Sequence, residues 1–289
     1  MTFRGVWFAP GGAIRAPWRL LLFAVCALVV IAILGSGVML LSPASISRPE
    51  VGAWTSLIGV VVAHVVMVRV VDRRPWSMVA LDRAAARPSL LGSGLLLGAL
   101  AIAIPSGALF AIHWLSVVTE PPGMGWMHFA GTMGIILLPA ALFEELLVRG
   151  YPFAVLRDAL GWKWALVSTS VVFGLLHLQN PNVSAEPIIL VVLAGFFLGS
   201  VLLVTRSLYC AWMAHFAWNY VMSAMMHTAV SGLAFIPPDY QTMDTGPDWA
   251  TGGAWGPEGG AFAAVGMLLF TVPLFLRYMR RATTTGTAE

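Results

Sequence analysis

Six polar residues in three otherwise oily stretches carry the chemistry that this sequence offers: Glu144, Glu145 and Arg149 in FEELLVRG, His177 in FGLLH, and His215 with Asn219 in HFAWN. Glu145 and Arg149 are four apart, a helical spacing that puts both on one face, where an ion pair cancels charge locally. Glu144 points about 100° away around a 3.6-residue turn. It is left as the unpaired carboxylate and as the candidate general base. His215 and Asn219 share a face and present an imidazole and an amide together. An amide does not titrate near neutral pH, so its natural catalytic role is to donate a hydrogen bond to developing negative charge. Phe173, four residues before His177, reads as a packing residue that holds the His177 face.

The elements that must position these groups follow from composition. Of 289 residues, 59% are hydrophobic and only 10% charged, which excludes an ordinary soluble domain and predicts a polytopic all-α membrane protein. A bilayer core needs about 20 apolar residues per helix, and the charge-free runs divide the chain into eight predicted spans. These are 20–41, 51–68, a span within 89–119, a fourth over about 128–149 that continues or ends there, then 164–178, 187–205, about 208–229, and 260–276. The organisation read from this is three N-terminal spans in 1–127, a four-span catalytic core in 128–228, and an outer loop, last span and tail in 229–289.

The connections carry the orientation. Arg4 and Arg15, the cluster from Arg69 to Arg87, Arg157 with Lys163, Arg206, and Arg277 to Arg281 fall in every second connection, whereas the intervening loops carry only Arg48 as a basic residue and hold Glu50, Glu120, Glu186, Asp239, Asp244, Asp248 and Glu258. Basic residues in short loops mark the cytoplasmic side, so a multi-pass protein of the cell membrane with both termini inside is expected. The basic residues form no dense stripe, which argues against a nucleic-acid partner. Cys26 and Cys210 lie in apolar runs without metal-ligand spacing and read as packing residues. The Pro/Gly-rich outer loop from Ile236 and the TTTGTAE tail have no helical periodicity and are not expected to carry chemistry.

An ionised side chain in mid-bilayer costs about 2.5–3.5 kcal/mol on insertion scales, so such residues are functional by default. Taken in order, FEELLVRG, FGLLHLQNP and MAHFAWNY, within about 128–228, resemble the CPBP family of intramembrane glutamic endopeptidases. That group contains the type II CAAX prenyl proteases and the Abi-like bacteriocin-processing and self-immunity proteins. The resemblance implies that Glu144 with His177 activates a water for attack on a peptide carbonyl, that His215 with Asn219 stabilises the oxyanion, and that Glu145 and Arg149 support the geometry.

No Ser or Cys nucleophile is paired with these histidines and no HExxH signature is present, in keeping with direct water attack without a cofactor. Two alternatives stand beside this reading. In one the protease is a zinc enzyme ligated by Glu144, His177 and His215. In the other the protein is a non-catalytic immunity or scaffold protein. Expected partners are membrane lipid and a membrane-associated peptide or protein substrate.

Overall fold

A computed structural model describes residues 3–9, 11–41, 48–119, 125–235 and 240–285. Glu120, Asp239 and the last four residues of the predicted tail lie outside the described residues. The architecture is all-α. After the short α1 (Phe3–Trp7) come α2 (Ala16–Leu41), α3 (Arg48–His64), α4 (Pro88–Ala111), α5 (Trp126–Arg149), α6 (Tyr151–Leu160), α7 (Trp162–Leu176), α8 (Ala185–Thr205), α9 (Leu208–Tyr220), the one-turn α10 (Asp248–Thr251) and α11 (Ala261–Thr285). A small antiparallel ribbon, β1 (Leu115–Thr119) with β2 (Tyr240–Asp244), sits outside the bundle in the register Leu115 opposite Asp244 to Thr119 opposite Tyr240.

Six helical segments among the described residues are long and apolar enough to cross a membrane. The fourth predicted span does continue: α5 and α6 form one 35-residue apolar segment, broken at Gly150. The break is built by the sequence. His64, from α3, packs so close to Gly150 that a side chain there would overlap its ring, and His64 Nε2 accepts the Tyr151 N–H at 3.0 Å. The imidazole thus takes the first orphan donor of α6. Tyr151 then donates its hydroxyl to Asp72 at 2.8 Å and accepts from Arg19 Nε at 3.0 Å, while Arg19 pairs with Asp72. One polar knot ties α2, the end of α3 and the start of α6.

The predicted fifth and seventh spans are shorter than a bilayer. Helix α7 has 15 residues, and α9 has 13 followed by a π-helical turn over Val221–Met225. Past that turn His227 adopts φ 51°, which a helix does not tolerate. The carbonyls released there are taken by side chains: Trp126 Nε1 donates to Ala224 O at 2.8 Å, and the Tyr240 hydroxyl to Met225 O at 2.9 Å. Irregular backbone at membrane depth is tolerated where protein buries it, and that is how α9 stops short; α7 ends where the His177 N–H turns back to the Gly174 carbonyl at 3.0 Å.

Burial ranks the helices. The apolar window of α2 is 11% buried, with Leu22, Leu28 and Ile33 turned outward, whereas that of α8 is 56% buried. Helix α8 is therefore central and α2 peripheral. Helix α9 is gripped by α4: a Cβ on Gly94 would overlap the Cys210 carbonyl and one on Gly98 the Ala214 carbonyl. Small residues that let backbones meet replace the hydrophobic drive that lipid cannot supply. The GSGLLLG stretch is thus used within the chain.

Gly98→Val must push α4 off α9 and is expected to cost about 1–3 kcal/mol, the usual range for overpacking. Gly92→Val, where nothing lies within reach, should be neutral. Melting temperatures of the two purified variants in one detergent check this; equal melting temperatures contradict the packing account.

Candidate active site

Five of the six polar residues meet where α5, α7 and α9 pack, and Asn219 borders an adjoining cavity with His177 and His215. Glu145 and Arg149 form the expected i, i+4 pair, with Arg149 Nη1 donating to Glu145 Oε1 at 2.8 Å and both side chains fully buried. The guanidinium lies over the Phe173 ring, 4.0 Å from its centroid, a cation–π contact favoured by desolvation. The same ring meets His177 and His215 edge-on, with centroids 4.9 and 5.7 Å apart. Phe173 is therefore the floor on which the arginine and both imidazoles rest.

Each histidine is oriented through Nδ1. That of His177 donates to the Phe173 carbonyl at 2.8 Å, four residues back at the end of α7, and that of His215 donates to Glu145 Oε1 at 3.0 Å. Carbonyl and carboxylate oxygens only accept, so both Nδ1 atoms carry hydrogen. The neutral rings then present Nε2 as an acceptor, and both present it to the same atom. Glu144 Oε2 lies 3.9 Å from His177 Nε2 and 3.7 Å from His215 Nε2. It is buried and has no direct hydrogen bond among the described residues, although the Glu144 side chain as a whole is 30% exposed. Both separations exceed a direct hydrogen bond, yet a single water at about 2.8 Å from each partner fits either gap.

Asn219 stands on α9 one turn after His215. It borders a small cavity of about 30 Å³ together with His177, His215, Ser231 and Glu258, room for one or two waters and not for a peptide side chain. Glu258 belongs to the outer loop from Ile236 that was not expected to carry chemistry, and Ser231 lies just before that loop. The loop folds back against α9 through Glu258 and Trp218, with Trp255 1% and Glu258 7% exposed. The available signal was a single carboxylate, Glu258, beside the last apolar span, in a glycine-rich run with Gly252, Gly253 and Gly256 at positive φ. Of the two cysteines, Cys210 is buried and Cys26 half-buried, and both are free.

Among the described residues no group of three His, Cys, Asp or Glu side chains is arranged to hold a metal ion. Tetrahedral zinc with bonds of about 2.0–2.1 Å brings its donor atoms to roughly 3.3 Å of one another, closer than the Glu144 to histidine separations of 3.7 and 3.9 Å.

Fold and site together define a polytopic helical membrane protein with one carboxylate and two imidazoles converging in its interior. Residues 126–221 match the family model described as Rce1-like, Type II CAAX prenyl endopeptidase Rce1-like. That part of the chain carries an Rce1-like domain, in agreement with the resemblance drawn from the three motifs. The match runs from the first residue of α5 to the residue after α9 and contains all six polar residues. No curated protein and no solved structure matches the chain.

Removing one member of a buried ion pair strands the other, at a cost of about 3–5 kcal/mol. Arg149→Met should therefore lower the melting temperature sharply, and Glu145→Gln with Arg149→Met should recover most of the loss. Equal stability of the single and double variants in a thermal melt contradicts the pairing.

Proposed function

We propose that this protein is an intramembrane endopeptidase in which Glu144 activates a water for direct attack on a peptide carbonyl. The observation that carries the reading is the convergence of Glu144 Oε2 and the two Nε2 atoms at 3.7 and 3.9 Å, with both Nδ1 atoms already committed. The Rce1-like match over 126–221 supports peptidase chemistry independently.

In this mechanism the Glu144 carboxylate takes a proton from the water, whose oxygen bonds to the carbonyl carbon while the C=O π pair moves to oxygen. His177 Nε2 accepts a hydrogen bond from the same water and fixes its direction. The oxyanion is met by the Asn219 amide and by His215. For His215 to donate from Nε2 the ring must carry both protons, and the Glu145 carboxylate on Nδ1 is the counter-charge for that form. Collapse breaks the C–N bond, and the amine leaves with the proton held by Glu144. Arg149 stays out of the chemistry and keeps Glu145 in place.

The substrate class we assign is a membrane-associated peptide or protein reached from the lipid phase. Given the family description, a prenylated CAAX-ending peptide is the first to test. Loop arginines support a multi-pass placement in the cell membrane with both termini cytoplasmic.

The test uses full-length protein in lipid nanodiscs with two probes, a prenylated CAAX-ending peptide and an unprenylated lipid-tethered peptide, and products read by mass spectrometry. Wild type should cleave at least one, and Glu144→Gln should lower turnover by about 10²–10⁴-fold, the usual contribution of a general base. Full turnover by a folded Glu144→Gln protein sinks the mechanism. Metal analysis with chelator challenge is run alongside: stoichiometric zinc with chelator-sensitive activity assigns Glu144, His177 and His215 as ligands instead. Absence of cleavage of any peptide by wild type favours a non-catalytic binding protein.

A further inference from the structure

The carboxylate of Glu258 has no part in the mechanism above, yet it is buried and meets three donors. It sits in the one-turn segment Pro257–Gly259 just before α11. Its Oε1 accepts the Ser231 N–H at 2.6 Å and the Ser231 hydroxyl at 2.8 Å, and its Oε2 accepts the Trp218 indole N–H at 2.9 Å. Each donor leads to the site. Trp218 directly precedes Asn219 on α9. The Ser231 carbonyl accepts from Asn180 Nδ2 at 3.0 Å, and Asn180 is three residues past His177, in the turn that ends α7. A short backbone bond from Gly232 N–H to Trp255 O, 2.9 Å, closes the circuit.

Two oxygens that serve three neutral donors require a carboxylate. Glutamine in the same place offers one carbonyl and one NH₂, and the NH₂ faces either the indole N–H or the Ser231 donors, donor against donor. A buried carboxylate is costly in a membrane, and the three hydrogen bonds to Glu258 compensate that cost. Glu258 also lies outside the 126–221 stretch, so it joins the His177 turn and the Asn219 helix from a part of the chain that neither motif contains.

We propose that Glu258 is a positioning residue of the site. It clamps the Trp218–Asn219 turn of α9 to the segment that follows His177, and so sets the distance between the water-directing imidazole and the oxyanion donor. The proposal rests on the peptidase reading for its kinetic consequence but not for its geometric one, which allows the two to fail separately.

The experiment compares wild type, Glu258→Gln and Trp218→Phe, all full length, in nanodiscs, below the melting temperature of each. With whichever probe peptide the wild type cleaves, Glu258→Gln should lower kcat by about 10–100-fold with KM little changed, as misplacement of reacting groups by about 1 Å does. Trp218→Phe removes one of the three donors and should act in the same direction, less strongly; it also stands in if Glu258→Gln does not fold.

The second readout needs no substrate. In protein labelled with ¹⁵N in the histidine rings, the His177 and His215 resonances should shift in both variants while that of His64, held by Val60 and Tyr151, stays. A variant that lowers only stability leaves all three in place. Unchanged His177 and His215 resonances, or wild-type kcat in folded Glu258→Gln, overturn the proposal. If wild type cleaves neither peptide, the peptidase reading falls and the resonances alone decide this one.

Discussion

The bundle is organised around one buried ion pair. Arg149 and Glu145 are fully enclosed, and neither charge is tolerable alone in so dry a place. Every neighbour is arranged by that requirement. Glu145 is held by its own helix through Arg149 and by α9 through His215 Nδ1. Arg149 is covered by Phe173 of α7, which in turn supports both imidazoles. The pair thus does for three helices what a cofactor does in other proteins: it supplies a fixed polar centre whose geometry the surrounding side chains must respect. With Arg149 neutralising Glu145, the adjacent Glu144 is free to turn toward the two Nε2 atoms.

Rigidity around that centre comes from close backbone contact. In lipid, helices gain nothing from leaving water, so they adhere through fit and through hydrogen bonds. The contact of α4 on α9 at Gly94 and Gly98 is the clearest case, and it fixes the helix that carries His215 and Asn219. At the other end of α5 the knot of Arg19, Asp72, Tyr151 and His64 anchors the break at Gly150. The Gly150 end of the stretch that carries Glu144 and Glu145 is therefore fixed.

Helices α7 and α9 illustrate how a helical bundle makes room for a polar cavity. Both stop inside the bundle, and the space above them is filled by the turn after His177, the bend at His227 and the glycine-rich segment around Trp255. That backbone is irregular yet satisfied, by Trp126, Tyr240, Asn180 and Glu258. The result is a water-sized cavity beside the histidines in a protein whose outer surface is oily.

Much of this was legible in the chain itself. The membrane class, the approximate positions of the long helices and the helical pairings of Glu145 with Arg149 and Phe173 with His177 follow from composition and from a 3.6-residue period. The 15-residue length of α7 was legible within two residues, but that of α9 was not, since its end depends on the side chains of Trp126 and Tyr240, which take up the released carbonyls. Nor was the sharing of Glu145 between Arg149 and His215, or the return of Glu258 onto Trp218 and Ser231. Those contacts join residues 27 to 70 positions apart, over which no local period runs. They are decided by how whole helices pack.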